Sequence, residues 1–200
     1  MKKIGFFGGT FDPIHYGHIN LALQLLEKHR LDEVLFCVAA RSPFKKYRSS
    51  FAAPEDRLAM TQLAIRDIPA FRVSKIELER PGISYTVDSL RILRSFYDQN
   101  QEAVQLYILL SDDSLESFHL WKDVEQIVRL ARPLVGLRKE HQQKIPSSAV
   151  NEALLKGLTS TTRLEISSTQ IRARLKKGLY CEHLAPLKTL DFIDKNGLYS

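Results

Sequence analysis

Apolar and polar positions along this chain keep two different rhythms. Short unbroken apolar runs rich in β-branched and aromatic residues, "KIGFF", "EVLFCV", "FRVSKIEL", "VQLYILL" and "RPLVGL", read as buried strands. Between them the apolar positions recur three or four apart. In "HINLALQLLEKH" the residues His18, Ala22, Leu25, Leu26 and His29 share one helical stripe, which Ile19 and Leu21 widen. "APEDRLAMTQLAI" opens as a helix should, with Pro54 at its start and Glu55 and Asp56 in the first turn. "TVDSLRILRSFY", "KDVEQIVRLA" and "SAVNEALLKG" follow the same period, and "TRLEI" is a candidate sixth strand.

Strand followed by helix, repeated, predicts an α/β fold built on a parallel sheet with helices on both faces. From about residue 167 onward the pattern is helical only, so a small helical C-terminal part is expected beside the sheet. No repeat, low-complexity tract or clear linker interrupts the sequence, and the expectation is a single domain over residues 1–200. Ligands of such sheets lie beyond the carboxyl ends of the strands. The residues that follow the first strand therefore carry the most interest.

There the chain reads "GGTFDPIHYGH", residues 8–18. Gly8 and Gly9 permit unusual dihedrals and leave no side chain between backbone and ligand, so their amides can approach a phosphate. The helix beginning near Gly17 would add its positive end. Neither a Walker lysine pattern nor a full G-x-G-x-x-G is present. His15 and His18, three apart near a helix start, point to one side. Two imidazoles there can donate to phosphate oxygens; the plainer alternatives are a capping histidine and a half-buried one. Zinc would need a third ligand at a recognised spacing, and none follows.

"ISSTQIRARL" offers a second anion-binding end. Ser167 and Gln170 have the spacing of a capping box, which marks a helix N-terminus. Ser168 and Thr169 add hydroxyl donors, and Arg172 can clamp a phosphate with two N–H groups. Most capping boxes only start helices, so this stretch gains weight from its pairing with the first.

Composition narrows the partners further. The charge of +6, from 29 basic and 23 acidic residues, favours anionic ligands, but the basic residues are scattered apart from "RSPFKKYR" and "RARLKK". No basic stripe with interleaved aromatics is evident, so a small phosphorylated ligand fits better than nucleic acid. Cys37 and Cys181 form no metal-ligand pattern, and Cys37 inside "VLFCV" reads as a buried structural thiol. No apolar run reaches the length of a membrane span, and "IGFF" after "MKK" is too short for a signal-peptide core. A cytoplasmic protein with no membrane partner is expected.

The two stretches together resemble the paired signatures of the nucleotidyltransferase superfamily that carries the T/H-x-G-H motif, found here as "HYGH". "SYTVDSL" (84–90) and "DSLESFHLWK" (113–122) extend the likeness to the bacterial nicotinate-nucleotide adenylyltransferases over nearly the whole chain. The resemblance implies a Rossmann-like fold and adenylyl transfer from ATP, accompanied by Mg²⁺, to nicotinate mononucleotide, with deamido-NAD and pyrophosphate as products. It implies that Gly8, Gly9, Thr10 and Phe11 wrap the phosphates, that His15 and His18 contact those of ATP, and that Ser168, Thr169 and Arg172 hold the outgoing ones. It further implies that Tyr85 and Thr86 belong to the pyridine-nucleotide loop, that Trp121 stacks on the pyridine, and that Asp113 lies near the adenosine ribose. As the sole tryptophan, Trp121 has core packing as its other reading; Phe118 and Leu120 are expected to pack.

Three positions depart from the family pattern. Ser111 stands where a G-x-D element usually begins with glycine, which crowds the backbone beside the nucleotide. Phe44 replaces a histidine in the loop "SPFK", where Lys45 stays available for phosphate. Val38-Ala39-Ala40 lacks the usual proline. Alternative readings are an adenylyltransferase acting on nicotinamide mononucleotide or phosphopantetheine, and a non-catalytic nucleotide-binding module.

Overall fold

The computed structural model describes residues 1–43, 51–80, 82–137, 148–162 and 164–200. Its elements run β1 (Lys2–Gly9), α1 (Tyr16–His29), β2 (Glu33–Val38), α2 (Pro54–Ile65), β3 (Phe71–Ser74), α3 (Thr86–Gln99), β4 (Val104–Ser111), α4 (Asp112–Ser117), a 3₁₀ turn (Phe118–Leu120), α5 (Val124–Leu130), β5 (Arg132–Leu137), α6 (Ala149–Lys156), β6 (Leu158–Ser160), α7 (Ser168–Leu175) and α8 (Leu187–Lys195). Six strands form one sheet in the order β3-β2-β1-β4-β5-β6. The β1–β4, β4–β5 and β5–β6 ladders are parallel, with Ile4 opposite Leu106 and Leu109 opposite Leu134. This is the doubly wound Rossmann order, which reverses direction beside β1.

The chain divides into two compact units. One comprises Met1–Phe7, Leu21–Leu35 and Tyr85–Thr162. Its core is mainly apolar: Ile4, Leu25, Val34, Leu90, Leu106, Ile127 and Val135 are all fully buried, with the polar Ser89 among them. Those strand residues belong to near-continuous apolar runs because a sheet buried on both faces needs them on both sides.

The other unit comprises Gly8–Asn20, Phe36–Ser84 and Arg163–Ser200. Ile171, Leu184 and Ala185 form a small buried cluster here, with Ile166, Leu175 and Leu190 packed against it. Its interior also holds polar groups: Asp12, His15, Arg57, Thr61, Ser84 and Thr189 are buried. The difference in interior chemistry between the units matters for the site.

Five strands and the helices expected from periodicity form, with two corrections and one addition. The third strand stops at Ser74, because Leu78 and Glu79 both donate to the Lys75 carbonyl (2.8 and 3.0 Å) and turn the chain. The sixth strand is Leu158–Ser160, paired with Val135–Leu137 of β5, and "TRLEI" lies beyond it. Helix α4 is the addition. Ser111 starts it by accepting the Ser114 N–H at 3.3 Å.

Candidate active site

The chain from β1 to α1 is held by an unusual density of buried polar groups. Both glycines of "GGTFDP" end β1 in the ladder, and the left-handed residue is Phe11, at φ 48°. The expected glycine turn is therefore corrected: a Cβ on Gly9 would come within 2.7 Å of the Phe11 ring, so Gly9 makes room for that buried ring. The Phe11 ring in turn meets His18 edge-on, with centroids 5.1 Å apart.

His15 and His18 come together as their spacing predicts, and more closely than hydrogen bonding alone would require. Their rings stack with centroids 3.7 Å apart and planes 26° from parallel. The His15 backbone N–H donates to His18 Nδ1 at 3.3 Å, which leaves the ring proton of a neutral His18 on Nε2. Burial lowers the pKa of His15 to about 4. Burial, with repulsion from His15 added, lowers His18 as well. Both rings are thus neutral donors at neutral pH. His15 Nδ1 is buried without a hydrogen-bond partner among the described residues, a condition native interiors rarely leave unanswered. Gly17 permits this packing, since a Cβ there would lie 3.0 Å from His15 Nδ1.

Helix α7 starts where the capping box predicts. Ser167 Oγ accepts the Gln170 N–H at 3.1 Å. Its first turn reaches the β1–α1 loop directly: Ser168 Oγ donates to the Pro13 carbonyl (2.9 Å) and Arg172 Nη1 to the Asp12 carbonyl (2.6 Å). Arg172 Nη2 donates to Thr169 Oγ1 at 3.1 Å, and its guanidinium lies 4.2 Å from the centre of the Phe51 ring. The two motifs, far apart along the sequence, are bonded to each other.

Residues that the motif reading passed over hold this arrangement. Arg57, fully buried in α2, donates to the carbonyls of Thr10 (2.7 Å), Ala39 (2.8 Å), Ala52 (3.2 Å) and Ala40 (3.3 Å). Burial lowers its pKa, opposed by the nearby Asp12 carboxylate. Asp12 accepts the Phe51 and Ala52 N–H groups (2.8 and 3.1 Å) and the Tyr199 hydroxyl (2.7 Å). Ser84 Oγ accepts the Ala40 N–H at 3.0 Å. Arg57 carried a sequence signal: it shares the buried stripe of α2 with Met60, Thr61 and Ile65, a place where a cation needs partners.

Of the residues expected on the acceptor side, Tyr85, Thr86 and Trp121 lie in the other unit. Tyr85 caps α3 and Thr86 is its first residue; Lys122 Nζ sits 4.7 Å from the Tyr85 ring centre and 3.2 Å from Asp88 Oδ2. Trp121 is half-buried, its ring 5.2 Å from that of Phe118, which is 1% exposed. Leu120 is 66% exposed and does not pack as expected. A 3₁₀ turn eclipses positions three apart, so Phe118 and Trp121 share a side and Leu120 faces away. Asp113 is exposed in the first turn of α4. Lys45 and Phe44 lie outside the described residues.

The cytidylyltransferase-like family profile matches residues 6–174. Relatives carrying the name "Probable nicotinate-nucleotide adenylyltransferase" align over almost the whole chain. The protein from Roseiflexus sp. is 40% identical over 201 residues, covering 98% of this chain and 97% of the relative. That from Dehalococcoides mccartyi strain BAV1 is 38% identical over 205 residues with the same coverage. That from Thermus thermophilus is 40% identical over 198 residues, covering 98% of this chain and 99% of the relative. Among solved structures, the Plasmodium falciparum nicotinic acid mononucleotide adenylyltransferase complexed with NaAD superposes with a TM-score of 0.78 at 20% identity, covering 100% of this chain and 98% of the other. These matches agree with the Rossmann-like order of the sheet, and the chain belongs to the nicotinate-nucleotide adenylyltransferases of the cytidylyltransferase-like family.

Proposed function

We propose that the protein transfers the adenylyl group of ATP to nicotinate mononucleotide, giving deamido-NAD and pyrophosphate in NAD biosynthesis. The observation that carries this reading is the stacked, neutral histidine pair, with a buried Nδ1 awaiting a partner, where α1 begins after a loop tied to the N-terminus of α7. A phosphate oxygen of the mononucleotide attacks the α-phosphorus of ATP. A new P–O bond forms as the bond to the bridging oxygen breaks, and pyrophosphate leaves. The nucleophile belongs to the substrate, so the protein's task is to orient the two nucleotides and to stabilise charge.

In this reading His15 and His18 donate to the triphosphate, and the neutral Nε2–H of His18 serves without the cost of a buried cation. The stretch from Gly8 to Phe11, which spans the end of β1 and the turn after it and includes Thr10, lies along the same phosphates in this reading. Ser168, Thr169 and Arg172 receive the departing pyrophosphate, trading their contacts with the loop carbonyls or sharing them. No group of three or more His, Cys, Asp or Glu among the described residues could hold a metal ion. Mg²⁺ enters this reading with the substrate, as MgATP bound by phosphates and water. Tyr85, Thr86 and Trp121 serve the acceptor, Asp113 and the backbone at Ser111 the adenosine side, and Lys45 the acceptor phosphate.

We take residues 1–200 as one nucleotidyltransferase domain with a helical segment from about 167. Among the described residues no helix is long and apolar enough to cross a membrane, and both cysteines are free and buried, which suits a cytoplasmic enzyme. Pyrophosphate release from MgATP tests the proposal, with nicotinate mononucleotide, nicotinamide mononucleotide and phosphopantetheine compared as acceptors. Strong preference for nicotinate mononucleotide supports it. Preference for another acceptor refutes the substrate, and ATP binding without release under all three refutes turnover.

A further inference from the structure

Asp12 is a junction with three kinds of bond. Its carboxylate holds the backbone of Phe51 and Ala52 through their N–H groups. Its carbonyl holds Arg172 Nη1, while the Arg172 guanidinium rests on the Phe51 ring. The carboxylate thus fixes the aromatic platform of Arg172, and the carbonyl fixes one arm of the guanidinium. A further partner of the carboxylate comes from the far end of the chain: the Tyr199 hydroxyl donates to Oδ1 at 2.7 Å. Tyr199 reaches it from a left-handed backbone, at φ 65°, a conformation uncommon for a non-glycine residue. Burial, then the bond to Asp12, raises its pKa well above that of free tyrosine, so it remains a donor.

We propose that Tyr199 is a positioning residue for the pyrophosphate end of the site: through Asp12 it sets where Arg172 presents its guanidinium. The inference rests on the adenylyl-transfer reading only for the identity of the anion. Asp12 is 2% exposed, so neither of its oxygens exchanges a lost donor freely for water. Without the hydroxyl the carboxylate shifts toward its two backbone donors, and the loop carbonyl and the Phe51 ring shift with it. Arg172 then meets pyrophosphate in poorer register, whereas the acceptor nucleotide is untouched. The bond gives the short stretch after α8 a task beyond packing.

The experiment is a double-mutant cycle on Tyr199→Phe and Arg172→Lys, read by calorimetric binding of magnesium pyrophosphate and by KM for ATP and for nicotinate mononucleotide. Circular dichroism confirms that each variant is folded. The expected result is about tenfold weaker pyrophosphate binding and a similar rise in KM for ATP in Tyr199→Phe, with KM for the mononucleotide unchanged. In the Arg172→Lys background the same substitution should cost less than about twofold, because the partner it acts through is gone. Unchanged pyrophosphate binding in Tyr199→Phe overturns the proposal. So does an equal tenfold loss in both backgrounds, which is what a merely structural residue would give. Pyrophosphate binding with the expected coupling, but no pyrophosphate release from ATP by the wild-type chain, would refute adenylyl transfer and leave the positioning role standing.

Discussion

The neighbourhood of the β1–α1 loop and the surface around Tyr85 and Trp121 solve the problem of polar groups in opposite ways. Around the loop, Asp12, His15 and Arg57 are withdrawn from water, and Asp12 and Arg57 have nearly all their hydrogen-bonding capacity assigned. Around Tyr85 and Trp121, Lys122, Asp88, Arg91 and Asp123 form part-exposed ion pairs that water and salt can replace. In the proposed reading the triphosphate meets donors that a dry interior has already set in place, so the donors need not reorganise. In the same reading the acceptor side is built from part-exposed side chains that can shift. The first arrangement is rigid and costly; the second is adjustable and individually weak.

The largest expected contrast is between Arg57 and Lys122. Replacing Arg57 with Met strands four backbone carbonyls and takes a cation from beside the Asp12 carboxylate, at a cost of roughly 3–5 kcal/mol in chemical denaturation. Lys122→Ala removes a part-exposed pair with Asp88 and should change stability by less than about 1 kcal/mol. Equal losses in the two variants would mean that the regions do not differ in the way the burial implies.

Activity gives the next contrast. His18→Ala should lower kcat by about 10²–10³-fold, the loss seen when one pre-set donor to a transition state is removed, with an unchanged circular dichroism spectrum. Full activity in that variant would remove the histidine pair from the mechanism. Much of this site is legible in sequence because its residues are close along the chain: His15 and His18 are three apart, and Ser167 and Gln170 form the cap of α7 as their spacing says. The role of Gly9 was not legible, because it depends on where the Phe11 ring falls. Arg57 and Tyr199 depend on distant partners too: Arg57 sits on a legible helix stripe, but its bond to Thr10 spans 47 residues, and the bond of Tyr199 to Asp12 spans 187. Local pattern finds helix stripes and caps, whereas a buried polar network is written in separations that no window spans.

Acid should act on the loop unit first. His15 has its folded pKa depressed to about 4 from an ordinary 6.5, so the folded state resists taking up the proton that the unfolded chain accepts. The stability this represents is complete above pH 6.5 and is lost as pH falls toward 4. Its size is about 3 kcal/mol for His15, and His18 adds to it in the same direction. Unfolding curves from about pH 7 down to about pH 4 should show this slope, and His15→Asn should remove the share of His15 and leave that of His18. A slope unchanged by the substitution would place the acid-sensitive group elsewhere.

Ser111 gives the smallest effect and the sharpest question. The family pattern has glycine there, and the sequence alone suggests a side chain crowding the nucleotide. In the structure its Oγ accepts the Ser114 N–H and lies 3.1 Å from Ser114 Oγ, so the hydroxyl caps α4. A serine cap replaced by glycine loses only a few tenths of a kcal/mol, because water reaches the freed N–H and glycine suits the position. Ser111→Gly should therefore shift the unfolding midpoint slightly and leave KM for ATP unchanged. A clear fall in KM for ATP would mean that the serine obstructs the nucleotide after all. The departure would then be a tuning of the adenosine side, and Ser111, on the β4–α4 junction, would belong with the rigid, pre-set groups of the loop.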